Sequence, residues 1–160
     1  MSEQLHISRE SKLEAYKGLL TQLASLVKDE TNIIANLANI SSAIHMTFNY
    51  LWVGFYLVEN HQLVLGPFQG PIACTRISKG KGVCGTSWKE ECTIIVKNVN
   101  DFPGHISCNS ASVSEIVVPL FNRSKKVVGI LDIDSTTESE FDTTDKHYLE
   151  QVAQLISYFI

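Results

Sequence analysis

Several features are scarce or missing in this 160-residue chain, and each absence narrows what it does. No apolar run approaches the roughly 20 residues that cross a bilayer as a helix, so no membrane contact is expected. The N-terminus, from Met1 to Glu10, has no apolar signal core, and the chain reads as intracellular and cytoplasmic. Positive charge is short. Lys and Arg number 13 against 17 Asp and Glu, the net charge is -4, and no basic stripe forms, which excludes nucleic acid as a partner class. A Walker A loop, G-x₄-G-K-[ST], is missing. No C-x₂-C pair exists and Cys74 to Cys84 is a wide gap, so no metal site is read from ligand spacing. Internal repeats, linkers and low-complexity segments are also missing, as is any attached output domain of the kind a sensor needs.

What is present suits one domain with a real core: 44% apolar and 19% charged residues. Residues 1–10 read as a flexible tail and 11–160 as a single domain. Leu13, Tyr16, Leu20, Leu23 and Val27 repeat at helical steps, with Ser11 as N-cap and Glu14 as its capping-box partner. Ile33, Leu37, Ile40 and Ile44 mark a second amphipathic helix ending near His45. Leu51–Val58 and Leu63–Phe68 read as a hairpin around a polar turn. A short extended piece at Cys74–Ile77 leads into glycines 80, 82 and 85, then helical turns over Gly82–Lys89. Thr93–Val99 is a third clear strand, and Ile116–Phe121 with Val127–Asp134 forms a second hairpin. Pro67 and Pro119 require a bulge or an unpaired side within their strands. Asp142 caps a last helix carrying Leu149, Val152, Ile156 and Phe159. Hairpin links imply a mostly antiparallel sheet. Helices from both chain ends cover one face, giving an α+β architecture with a pocket under the loops of the other face.

Between the last two strand regions lies a small, hydroxyl-rich stretch, Gly104-His105-Ile106-Ser107-Cys108-Asn109-Ser110-Ala111-Ser112-Val113-Ser114-Glu115. It holds one thiol and ends in one carboxylate, the composition of a loop that carries chemistry on a rigid frame. All four cysteines, Cys74, Cys84, Cys92 and Cys108, fall within 35 residues of one another. Cys92, beside an apolar strand, reads as a packed residue.

Six motifs in order carry a resemblance: Trp52-Val53-Gly54-Phe55-Tyr56, Leu65-Gly66-Pro67-Phe68-Gln69-Gly70, Gly80-Lys81-Gly82-Val83-Cys84-Gly85-Thr86, Gly104-His105-Ile106-Ser107-Cys108, Ser114-Glu115-Ile116-Val117-Val118-Pro119 and Gly129-Ile130-Leu131-Asp132-Ile133-Asp134-Ser135. Together they resemble the GAF-domain free methionine-(R)-sulfoxide reductases, from about residue 13 onward. The resemblance implies a six-stranded antiparallel sheet between helices, a homodimer, and thioredoxin-dependent reduction of free methionine-R-sulfoxide with no bound cofactor. It implies that Cys108 attacks the substrate sulfur, that Cys74 pairs with it, and that Cys84 is the second or recycling thiol. An exchange of roles between Cys84 and Cys108 stays open. Cys92 has no counterpart in the family pattern. Ser107 stands where the family usually has alanine, and Asn109 where it often has aspartate.

The residue chemistry agrees with that expectation. Reducing a sulfoxide needs a thiolate at sulfur and a proton at oxygen. Glu115, Asp132 and Asp134 are the candidate acids, and the last two share a strand face. Acids that stay ionised suit the substrate ammonium. Trp52 and Tyr56 are also co-facial and suit an S-methyl group, although strand aromatics as often serve the core. Glycines 80, 82 and 85 are read as presenting N–H groups to the substrate carboxylate. His105 is a possible base, but a loop histidine more often lies at the surface. The alternative reading is a non-catalytic GAF module that binds a small molecule or senses redox state.

Overall fold

The computed structural model describes residues 4–106 and 108–160, so the Ser107 substitution noted above lies outside the described residues. Helix α1 spans Lys12–Leu26, and the Ser11 hydroxyl accepts the Glu14 N–H at 3.1 Å. The Glu14 side chain does not complete the expected capping box; it pairs with Lys17 at 2.8 Å. The buried stripe also differs from the expected one. Ala15, Tyr16, Leu19 and Leu23 face the core, while Leu13 is exposed. Ahead of α1, His6 and Gln22 exchange two hydrogen bonds of 2.7 Å.

Helix α2 spans Ile33–Phe48, three residues beyond the expected end, and stops at Asn49 in the left-handed region. Asn32 caps its start by accepting the Ala35 N–H at 3.0 Å. Strands β1 (Trp52–Glu59) and β2 (Gln62–Gln69) form the first hairpin. Asn60 and His61 both take positive φ, the geometry of a two-residue turn that matches strand twist. Next come β3 (Arg76–Ser78), helix α3 (Gly82–Glu90) and β4 (Ile94–Val96), the last much shorter than its apolar run suggested. The second hairpin is β5 (Ser114–Phe121) with β6 (Val127–Ser135). Helix α4 (Thr143–Ile156) closes the fold, with a true capping box between Asp142 and Asp145.

The strands make one six-stranded antiparallel sheet in the order β3-β2-β1-β6-β5-β4. Both prolines sit where a ladder ends. β4 pairs β5 only from Glu115 to Val117, so Pro119 lies beyond it. On β2, the register against β1 slips around Gly66 and Pro67, and β3 reaches only Gln62 to Val64.

Alternation along the central strands builds two cores. Val53, Phe55, Ile116, Val118, Leu131 and Ile133 point toward α1, α2 and α4, where Leu37, Ile40, Leu149 and Val152 meet them. Trp52, Tyr56, Val117 and Ile130 point to the opposite face, where α3 contributes Val83, Cys84 and Trp88. This is the expected α+β arrangement, with four helices flanking the sheet. Three helices seal one face. The single short helix α3 and the long loops leave room for a recess on the other.

Candidate active site

The recess is lined by Trp52 and Tyr56 from β1, Cys84 from α3, Glu115 from β5, and Asp132 and Asp134 from β6. Two structural features set its aromatic wall. Trp52 and Tyr56 lie on the same strand face with ring centroids 5.9 Å apart. Gly54 stands between them, and a Cβ there would come within 2.3 Å of the Trp52 ring. The missing side chain is therefore what lets the indole lie along the strand. The indole N–H donates to the Pro71 carbonyl at 3.1 Å, and the Tyr56 hydroxyl donates to the Cys74 carbonyl at 3.0 Å. Both aromatics thus fix the backbone that carries Cys74.

Cys74 and Cys108 are joined by a disulfide, with Cα atoms 5.4 Å apart. They come from two loops separated by 34 residues in sequence and brought to one rim of the recess. Cys84 is a free, buried thiol below them, 3.6 Å from Glu115 Oε1.

The acids gather on the floor. Antiparallel pairing sets Glu115 directly opposite Asp134, and Val117 opposite Asp132, so β5 and β6 place three carboxyls on one face. Glu115 and Asp132 are 5% and 6% exposed. Among the described residues no lysine or arginine forms a salt bridge with any of the three. Loss of hydration therefore dominates their acidity. Burial pushes Glu115 well above the ordinary carboxylate range, and Asp132 and Asp134 add to it by like-charge repulsion. Burial and then Asp134 do the same to Asp132. Asp134 is raised to about 6 by burial, against the opposing hydrogen bond from the Ser112 hydroxyl. Burial first, then Asp132 and Glu115, push the Cys84 thiol up as well. Burial and mutual repulsion thus raise the proton affinity of the floor, the direction that an acid catalyst requires.

His105 departs from its surface reading. Its imidazole lines the recess and Nε2 lies 3.8 Å from Glu115 Oε2. Partial burial lowers its pKa, favouring the neutral ring. The glycine reading is corrected at Gly80 and Gly85. The Gly80 N–H donates to the Gly85 carbonyl at 2.7 Å, and the Gly85 N–H to the Lys81 carbonyl at 2.9 Å. These two groups are spent inside the turn, whereas Gly82 opens α3 and lines the recess. Gly85 has a packing reason instead, because a Cβ would fall 2.3 Å from the Ser78 carbonyl oxygen. Cys92 is not packed but exposed, just past the left-handed Glu91 that ends α3. Asn109 borders the recess, and its side-chain oxygen accepts the Ala111 N–H at 2.8 Å.

The chain matches the GAF-domain family over residues 29–160. It is 54% identical to GAF domain-containing protein A of Dictyostelium discoideum, over 98% of this chain and 99% of that protein. It is 45% identical to the free methionine-R-sulfoxide reductase of Escherichia coli, over 91% of this chain and 88% of that enzyme. The crystal structure of free methionine-R-sulfoxide reductase from Neisseria meningitidis in complex with its substrate superposes with a TM-score of 0.96 at 46% identity, covering 98% of this chain and 95% of that one.

Proposed function

This chain belongs to the GAF-domain family of the free methionine-R-sulfoxide reductases, and from that premise we propose that it reduces free L-methionine (R)-S-oxide to methionine by thiol chemistry. The observation that carries the proposal is the Cys74–Cys108 disulfide beside a recess floored by three buried acids.

The reaction is assigned as follows. The Cys108 thiolate attacks the sulfoxide sulfur while a carboxylic acid, Glu115, delivers a proton to the oxygen. The hydroxyl then passes from the substrate sulfur to the Cys108 sulfur, so the substrate S–O bond and the S–S bond formed in the attack both break, methionine leaves, and Cys108 is left as a sulfenic acid. The Cys74 thiol condenses with it, forming the disulfide and releasing water. A thioredoxin-type dithiol then supplies two electrons by exchange and frees both thiols. Cys84 is a poor candidate for the first attack. It is buried beside acids that hold its proton in place, and it stays outside the disulfide. Trp52 and Tyr56 receive the S-methyl group, and Asp132 and Asp134 receive the ammonium group. The proposal extends to a homodimer, taken from the family resemblance, working in the cytoplasm, as the N-terminal composition suggests. Among the described residues no helix is long and apolar enough to cross a membrane.

A thioredoxin-coupled turnover assay with each sulfoxide epimer, free and peptide-bound, tests the reading. We expect turnover of the free R epimer alone, abolished in Cys108→Ser with the fold intact. Binding without methionine release would instead make the chain a non-catalytic sensor module. Full activity in Cys108→Ser would move the attack to Cys84 or end the thiol mechanism.

A further inference from the structure

The floor of the recess also has the composition and spacing of a zinc site. We propose that Cys84, Glu115 and Asp132 bind one Zn²⁺ ion. One ligand atom from each lies within 4.8 Å of the other two. All three residues are buried. A tetrahedral zinc with Zn–S near 2.3 Å and Zn–O near 2.0 Å sets its sulfur and oxygen ligands about 3.5 Å apart. Cys84 Sγ and Glu115 Oε1 are already 3.6 Å apart.

A second observation points to a missing partner. Among the described residues, Asp132 Oδ1 is buried without any hydrogen-bond partner. A buried carboxylate oxygen left alone is costly, and a cation within the cluster satisfies it. The ligand set selects the metal. One thiolate with two carboxylates suits Zn²⁺, whereas Mg²⁺ and Ca²⁺ prefer oxygen alone. Entry is through the recess, which all three residues line. The fourth position faces that recess and takes water, with His105 at its edge. On binding, the Cys84 thiol and any protonated carboxyl of Glu115 or Asp132 release their protons to solvent, and the thiolate sulfur and carboxylate oxygens donate lone pairs to the metal.

Sequence spacing gives no hint of this site, because its ligands come from α3, β5 and β6. The metal would occupy the acids that the proposed reaction uses, so it is expected to stop turnover reversibly. That consequence rests on the proposed function; the binding itself does not.

The test uses oxidised protein, in which the disulfide has removed Cys74 and Cys108 as ligands and leaves Cys84 and Cys92. Zn²⁺ is titrated against a chromophoric chelator. We expect one ion per chain, and unchanged affinity in Cys92→Ser. Cys84→Ser and Asp132→Asn are each expected to weaken binding by at least the roughly 10–100-fold that loss of an outer-shell partner costs. Co²⁺ added to the unmutated oxidised protein should show a thiolate-to-cobalt charge-transfer band, so the proposal does not depend on either variant folding. No binding by oxidised protein, a cobalt spectrum without that band, binding that survives Cys84→Ser, or binding lost in Cys92→Ser would each overturn it.

Discussion

Two buried acid sites in this protein face opposite sides of the same sheet and are treated in opposite ways. On the helical side, Asp145 is completely buried and fully partnered. It accepts from Lys12 Nζ at 2.7 Å, Tyr16 hydroxyl at 2.7 Å, Tyr50 hydroxyl at 3.1 Å and the Asp142 N–H at 2.8 Å. Those donors come from α1, the segment entering β1, and the start of α4. One carboxylate therefore ties both chain ends to the sheet. On the recess side, Glu115, Asp132 and Asp134 repel one another, and one oxygen of Asp132 has no partner among the described residues. The first site lowers the energy of the fold. The second raises it, and chemistry is the return for that cost.

If the contrast is right, mutations should separate stability from turnover. The largest effect is expected at the strained site. Glu115→Gln keeps the shape and removes the proton, and should lower kcat by about 10²–10⁴-fold, the usual worth of a general acid. Its thermal midpoint should hold or rise, because a repelling acid is gone. Unchanged kcat with an unchanged pH–rate profile would remove Glu115 from the acid role.

The converse is expected at Asp145. Asp145→Asn breaks a buried, hydrogen-bonded pair and should cost about 2–4 kcal/mol of stability. Turnover per folded molecule should stay at the unmutated level. Denaturant unfolding beside an activity assay on the same sample checks both parts, and a large loss of kcat would mean the two sites are coupled.

The pH dependence of stability sharpens the comparison further. Asp134 is raised from 3.8 to about 6 in the folded protein. Between those values the unfolded chain has lost this proton and the native chain retains it. The native state then binds more protons, so stability from this group falls as pH rises through that window. The fall reaches up to about 3 kcal/mol. Glu115 and Asp132, also shifted upward, contribute declines of the same sign. Asp134→Asn should flatten the slope between pH 4 and 6 relative to the unmutated protein; parallel curves would show that Asp134 titrates normally.

The smallest effect is expected away from both sites. Cys92→Ser replaces an exposed thiol and should change stability by no more than about 0.5 kcal/mol and leave turnover unaltered.

Much of the fold was legible because local patterns agree with it. Asn60-His61 between apolar runs marks a two-residue turn, Asp142 marks a helix start, and strand alternation marks which residues meet helices. The errors have local causes too. Leu13 carries a helical spacing yet points to solvent, since the stripe is selected by the neighbours that α1 meets rather than by spacing alone. Thr93–Val99 is apolar enough for a full strand, but β5 offers a partner for only part of it. Ser114 and Glu115 read as the end of a polar loop. They open β5 because β6 extends to Ser135 and supplies partners for them. At the site, the co-facial pairs Trp52/Tyr56 and Asp132/Asp134 followed from strand geometry. The position of His105 did not, because a loop residue's burial depends on what lies across from it. The Gly80 and Gly85 N–H groups were misread for a similar reason: the turn consumes them internally.

The amino-acid order by itself determined the kinds of groups available, three thiols of one family pattern and three acids, and the faces on which strand residues point, because a strand's two-residue repeat is a local property. Only the tertiary structure decided that Cys74 meets Cys108 while Cys84 sinks among Glu115 and Asp132. Loss of water and like-charge repulsion set the acidity there, and both arise from groups far apart in the chain. No reading of neighbours in sequence contains them.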